Sequence, residues 1–126
     1  MSQHTIRLAG PWERHSAGAE LVRVSLPFQI PGVGSSCDLI RRFHRPTGLT
    51  ETCEVLIILT VDTTSLDVRL NNQLVSVLDS RHSASGIEVS FNVTPQLESF
   101  NSLSIRNTET SGVTVQSAVL QIHESP

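Results

Sequence analysis

Asp79, Ser80 and His82 bring the three side-chain types of a nucleophilic triad into one short polar stretch. A triad needs a base oriented by a third group at fixed geometry, which close spacing along a chain does not supply. The stretch therefore reads as a solvated loop, and a small hydrolase remains only a remote reading. The five histidines, His4, His15, His44, His82 and His123, show no close Cys/His spacing, so no metal site is expected. Twelve acidic residues offer no pair that the sequence can set across a cleft for glycoside hydrolysis. Missing residue types exclude more. All nine basic residues are arginine, which removes Schiff-base catalysis and a lysine-bearing phosphate loop. The chain has no tyrosine, so no phenolic acid or base is available. Gly32-Val33-Gly34 has the glycine pair of a phosphate-cradling turn, but no helix pattern follows it and it reads as loop. No cofactor is expected.

Five residues stand out as candidate ligand contacts. Trp12 is a possible platform for a sugar ring; its other reading is a core side chain capping one end of the fold, since large aromatics are mostly buried. Arg41 and Arg42 are suited to hold a ligand's hydroxyls or carboxylate. Their alternative is an ion pair with a strand-borne acid such as Glu54 or Asp67. Arg81 and His82, in the polar loop 79–86, complete the set.

Strands must position these residues. Leu66, Val68 and Leu70 alternate with Asp67 and Arg69, the period of a half-buried strand. Asn71-Asn72 follows, and asparagine tolerates positive φ, so a two-residue hairpin turn is expected there. Ile87–Val93 alternates most cleanly. Cys53–Val61 is apolar on both faces, as in a central strand covered on both sides. Shorter strands are expected at 5–9, 21–26, 39–45 and 103–105, and a last one from Val113 with a bulge near Ser117-Ala118. Residues 13–20, 29–37 and 79–86 read as loops. Thr94-Pro95-Gln96-Leu97 reads as one helical turn with Thr94 as cap. The fold class is all-β: a jelly-roll-like β-sandwich of two antiparallel sheets, about eight to nine strands, forming one domain over residues 3–124.

Composition bounds the rest. The 126 residues, 38% of them hydrophobic, suit one domain with a sizeable core. A net charge of -3 without a basic patch argues against a nucleic-acid partner. No apolar run is long enough for a membrane span, and Met1–Arg7 lacks an apolar signal segment, so a cytoplasmic location is expected. Cys37 and Cys53 are expected as free, partly buried thiols. A direct hairpin between 38–45 and 53–61 would hold them too far apart to bond, whereas a crossover between sheets would loosen that argument.

The order of motifs resembles the N-terminal β-sandwich domain of family 2 glycoside hydrolases, within the galactose-binding-domain-like jelly rolls. Arg41-Arg42-Phe43 stands for the family's arginine pair and phenylalanine, without the usual spacer. Val55–Val61 follows as the buried strand, and Val68-Arg69-Leu70-Asn71-Asn72 as the hairpin, with Asn72 where the family prefers glycine. Phe91-Asn92-Val93-Thr94-Pro95-Gln96-Leu97 and Asn101-Ser102-Leu103-Ser104-Ile105 complete the series, with Asn92 in place of aspartate. The family's catalytic barrel and its two carboxylates are missing. The resemblance implies a non-catalytic accessory module with a carbohydrate partner. The alternative is a protein–protein interaction or assembly module using its edge strands and loops.

Overall fold

The structure, a computed structural model, describes residues 2–18, 20–32 and 37–124. Twelve strands form among them: β1 (Ser2–Arg7), β2 (Trp12–Ser16), β3 (Val22–Val24), β4 (Phe28–Ile30), β5 (Cys37–His44), β6 (Cys53–Val61), β7 (Leu66–Leu70), β8 (Gln73–Leu74), β9 (Val77–Ser83), β10 (Gly86–Asn92), β11 (Phe100–Asn107) and β12 (Val113–Glu124). They build two sheets of six strands, and every pairing recorded between them is antiparallel. The first sheet runs β1-β12-β6-β10-β9, with β4 also on β12; the second runs β3-β2-β5-β11-β7-β8. This is a jelly-roll-like sandwich with more strands than the sequence suggests.

The extra strands come mainly from stretches that read as loops. Residues 12–16 pair with both β3 and β5. Residues 77–83 pair with β10, with a register shift that leaves Leu78 without a partner. Backbone hydrogen bonds to a neighbouring strand need no apolar side chain, so neither stretch shows the alternation of a half-buried strand. The expected loop at 29–37 begins inside β4, and Val33 and Gly34 of the glycine-pair turn lie outside the described residues.

Alternation does set the core. Val55, Ile57, Leu59 and Val61 of β6 point between the sheets, as do Val89 and Phe91 of β10, and Leu103 and Ile105 of β11. Leu39, Val68 and Leu70 join Leu103 and Ile105 on the inner face of the second sheet, against the residues of β6 and β10. The other face of β6 departs from expectation: Leu56, Ile58 and Thr60 floor an open concave surface instead of meeting a further layer. β5 and β6 lie in different sheets, so no direct hairpin joins them, and both cysteines are buried free thiols.

Local chemistry fixes the turns. Asn71 and Asn72 adopt φ of 54° and 68°, the left-handed pair of a tight hairpin. The Asn71 amide donates to Gln96 O at 2.9 Å and to Asn101 Oδ1 at 3.0 Å, and its Oδ1 accepts from the Ser102 N–H at 2.9 Å. The hairpin tip is thereby tied to the start of β11 and to the 3-10 turn at Thr94–Gln96. Val93, not Thr94, precedes that turn as its cap residue. Thr94 Oγ1 instead accepts from the Val55 N–H at 2.9 Å and bonds Asn92 Oδ1 at 2.8 Å, clamping β10 to β6. In β12 the register shifts between Val115 and Ser117, one residue before the expected bulge.

Candidate ligand-binding face

The five candidate residues separate. Trp12 begins β2 with 0% exposure, and its indole N–H donates to Leu8 O at 2.9 Å. It has no surface for a sugar ring, and the platform reading is corrected: the ring is core. Arg41 is half-buried in the middle of β5. Its Nε donates to Ala9 O at 2.7 Å and its Nη1 to Arg42 O, so carbonyls satisfy it in place of Glu54 or Asp67. Arg81 bonds Glu88 Oε1 through Nε and Nη2 on the outer face of the first sheet. His82 sits at the alternate position of β9, opposite Ile87, and does not join it. Arg42 is exposed on the outer face of the second sheet, paired with Glu13.

Arg42 leads to a wider arrangement. Even-numbered residues of β5 and β11 and odd-numbered residues of β2 and β7 share that outer face, because side chains alternate along strands. One cross-strand row reads His15, Asp38, Arg106, Asp67. Arg106 holds Asp38 in two parallel bonds, Nε to Oδ1 at 2.7 Å and Nη2 to Oδ2 at 3.0 Å. Arg69 holds Asp67 through Nε at 2.9 Å and Nη2 at 3.3 Å. Glu13 Oε1 meets both His15 Nε2, at 3.0 Å, and the Arg42 guanidinium. Three acids, Glu13, Asp38 and Asp67, thus face three guanidinium partners, Arg42, Arg106 and Arg69, and the charge balances.

These contacts tune the groups. The hydrogen bond from His15, joined by Arg42, holds the Glu13 carboxyl below the usual range, against an opposing effect of burial. Asp67 raises Arg69 and Asp38 raises Arg106 further above the ordinary guanidinium value, in each case chiefly by hydrogen bonding. Ile40, Ser102, Ser104 and Asn72 lie among the pairs, and the face dips into a depression of about 420 Å³. At the far end Phe100 stands opposite His44, with ring centroids 4.9 Å apart and planes tilted by 56°. Phe100 is 53% exposed. From Phe100 to Arg106 the face extends roughly 20 Å along β11.

The sequence reading missed Phe100, His44, Glu13, Asp38, Asp67, Arg69 and Arg106 as members of one surface. One signal was present: Phe100 falls on the polar phase of Phe100-Asn101-Ser102-Leu103-Ser104-Ile105-Arg106, which turns its ring to the outer face of the strand. Among the described residues no three His, Cys, Asp or Glu side chains gather as a metal site would.

No protein-family model matches the chain, and no curated protein matches it. Solved structures do share its fold. An FMN-binding β-glucuronidase from Facaelibacterium prausnitzii L2-6 aligns with a TM-score of 0.71 at 15% identity, over 97% of this chain and 23% of that one. A Bifidobacterium dentium β-glucuronidase, complexed with coumarin-3-O-glucuronide, gives 0.62 at 19% identity, over 90% and 20%. BuGH86 in complex with neoagarooctaose gives 0.58 at 17% identity, over 95% and 18%. The chain therefore spans less than a quarter of each of these proteins. The likeness is a distant one, of fold, to β-sandwich domains of glycoside hydrolases, and it assigns no single family.

Proposed function

We propose that the chain is a non-catalytic carbohydrate-binding module whose ligand lies along the outer face of the second sheet. The observation that carries this reading is the charge-balanced ladder of Glu13, Arg42, Asp38, Arg106, Asp67 and Arg69, ending on the exposed Phe100–His44 pair. Hydroxyl groups of a sugar accept from guanidinium N–H groups and donate to carboxylates, and charged partners make such bonds stronger than neutral ones. An aromatic face covers the apolar C–H side of a sugar ring. Balanced charge favours an uncharged oligosaccharide, such as the neoagarooctaose bound by BuGH86, over a glucuronide. Glu13 is ill-suited to serve as a general acid. A general acid needs a raised pKa, and Glu13 is moved the other way.

Titration calorimetry with neoagarooctaose and other uncharged oligosaccharides tests the reading. Binding is expected, and Phe100→Ala is expected to weaken it roughly tenfold, the worth of one aromatic contact. Arg81→Ala, on the other sheet, is the control and leaves affinity unchanged. Absence of binding at millimolar sugar, or equal affinity in Phe100→Ala, defeats the proposal.

A further inference from the structure

β9 is the open edge of the first sheet. It pairs with β10 on one side, and all 7 of its residues are exposed. Val77 and Leu78 are 60% and 55% exposed, and Leu74, just before the strand, is 62% exposed. Sheets usually blunt such edges by shortness, proline, charged side chains or β-bulges. The edges of the second sheet follow that rule: β3 has 3 residues and β8 has 2. β9 is longer and has no proline; its edge is interrupted by Asp79, Arg81 and a register shift at Leu78.

Its charges are self-complementary. When two identical strands pair antiparallel about a two-fold axis normal to the sheet, one residue faces its own copy. An axis at Asp79 or Arg81 would oppose like charges. An axis at Ser80 sets Asp79 opposite Arg81 of the second copy, and Arg81 opposite Asp79 of the second copy, on one face of the sheet. The register shift of β9 at Leu78 ends the regular pairing beyond Asp79. The groups are free to do this. Among the described residues the Asp79 side chain has no hydrogen-bond or ion-pair partner, while its backbone pairs with Ser90. Arg81 reaches Glu88 through Nε and Nη2, which leaves Nη1 unengaged. β1, also an edge, carries Arg7 and no acid, so it has no such register.

We propose that β9 pairs with β9 of a second copy in the register centred on Ser80, joining the two first sheets into one continuous sheet. The contact is one strand wide, so the dimer is weak, roughly micromolar or weaker. It is independent of the saccharide reading, which uses the other sheet.

Sedimentation velocity of the whole chain over a concentration series tests this. A monomer–dimer equilibrium is expected. Asp79→Arg alone and Arg81→Asp alone each weaken it by roughly tenfold or more, through two like-charge contacts per dimer. Mixed in equal amounts, these two variants associate again, because one strand then carries two positive charges and the other two negative ones. Ser80→Cys forms a disulfide-linked dimer on mild oxidation, since opposed Cα atoms lie about 4.5–5.5 Å apart, and Ser83→Cys does not. The altered side chains are exposed, and circular dichroism checks the fold. A chain that stays monomeric, a dimer indifferent to Asp79→Arg, or variants that fail to associate when mixed overturns the proposal.

Discussion

The two asparagines of the hairpin look equivalent in the sequence and are not. Asn72 has φ of 68° and an exposed side chain, with no side-chain hydrogen bond recorded. Asn71 joins a network with Gln96, Asn101 and Ser102. Glycine at position 72 relieves left-handed strain and forfeits nothing in the folded state. Asn72→Gly is expected to leave the melting temperature equal or higher, with a gain of at most about 1 kcal/mol. Asn71→Ala is expected to lose about 2 kcal/mol or more, because it strands the Ser102 N–H and the Gln96 carbonyl oxygen and puts alanine at a positive φ. A matched pair of denaturation curves checks both, and equal losses would contradict this division of labour. The network also gives a physical reason for two motifs of the family resemblance. The asparagine of the hairpin and that of Asn101-Ser102-Leu103 meet at 3.0 Å, so those residues hold the fold and are not free to hold a ligand.

At the scale of elements, the strands legible in the sequence are those with one face in the core. β6, β7 and β10 announce themselves by alternation or by continuous apolar runs. β2 is held through its backbone by β5, distant in sequence, and β9 by the adjacent β10; β9 buries no side chain, so neither strand shows the alternation of a half-buried one. The turn between β9 and β10 has its own requirement. Gly86 has φ of 137°, and a Cβ there would lie 2.6 Å from Val61 O. Gly86→Ala is therefore expected to destabilise by about 1–3 kcal/mol, from backbone strain added to the clash. Chemical denaturation reads this directly; a neutral effect would mean that the β9–β10 turn relaxes freely.

At the scale of the molecule, the core and the proposed ligand face are separate surfaces of one sheet. Trp12, the sole tryptophan, lies on the inner side of β2, and Glu13 lies on the outer side. Saturating oligosaccharide should accordingly leave the tryptophan emission wavelength unchanged, while unfolding shifts it to the red. A ligand-induced shift would place the sugar elsewhere. The sequence by itself determined the all-β class, the two-residue turn at Asn71-Asn72, the apolar phase of the core strands and the absence of lysine and tyrosine chemistry. These follow from local sterics, from period-two burial and from composition. Only the tertiary structure decided that Trp12 is core, that Arg41 is satisfied by carbonyls, and that Arg42 belongs to a ladder with Glu13, Asp38, Asp67, Arg69 and Arg106. The reason is register. Which polar residues stand side by side on a sheet depends on the pairing of strands far apart in the chain, and a shift of one position would turn every side chain to the opposite face.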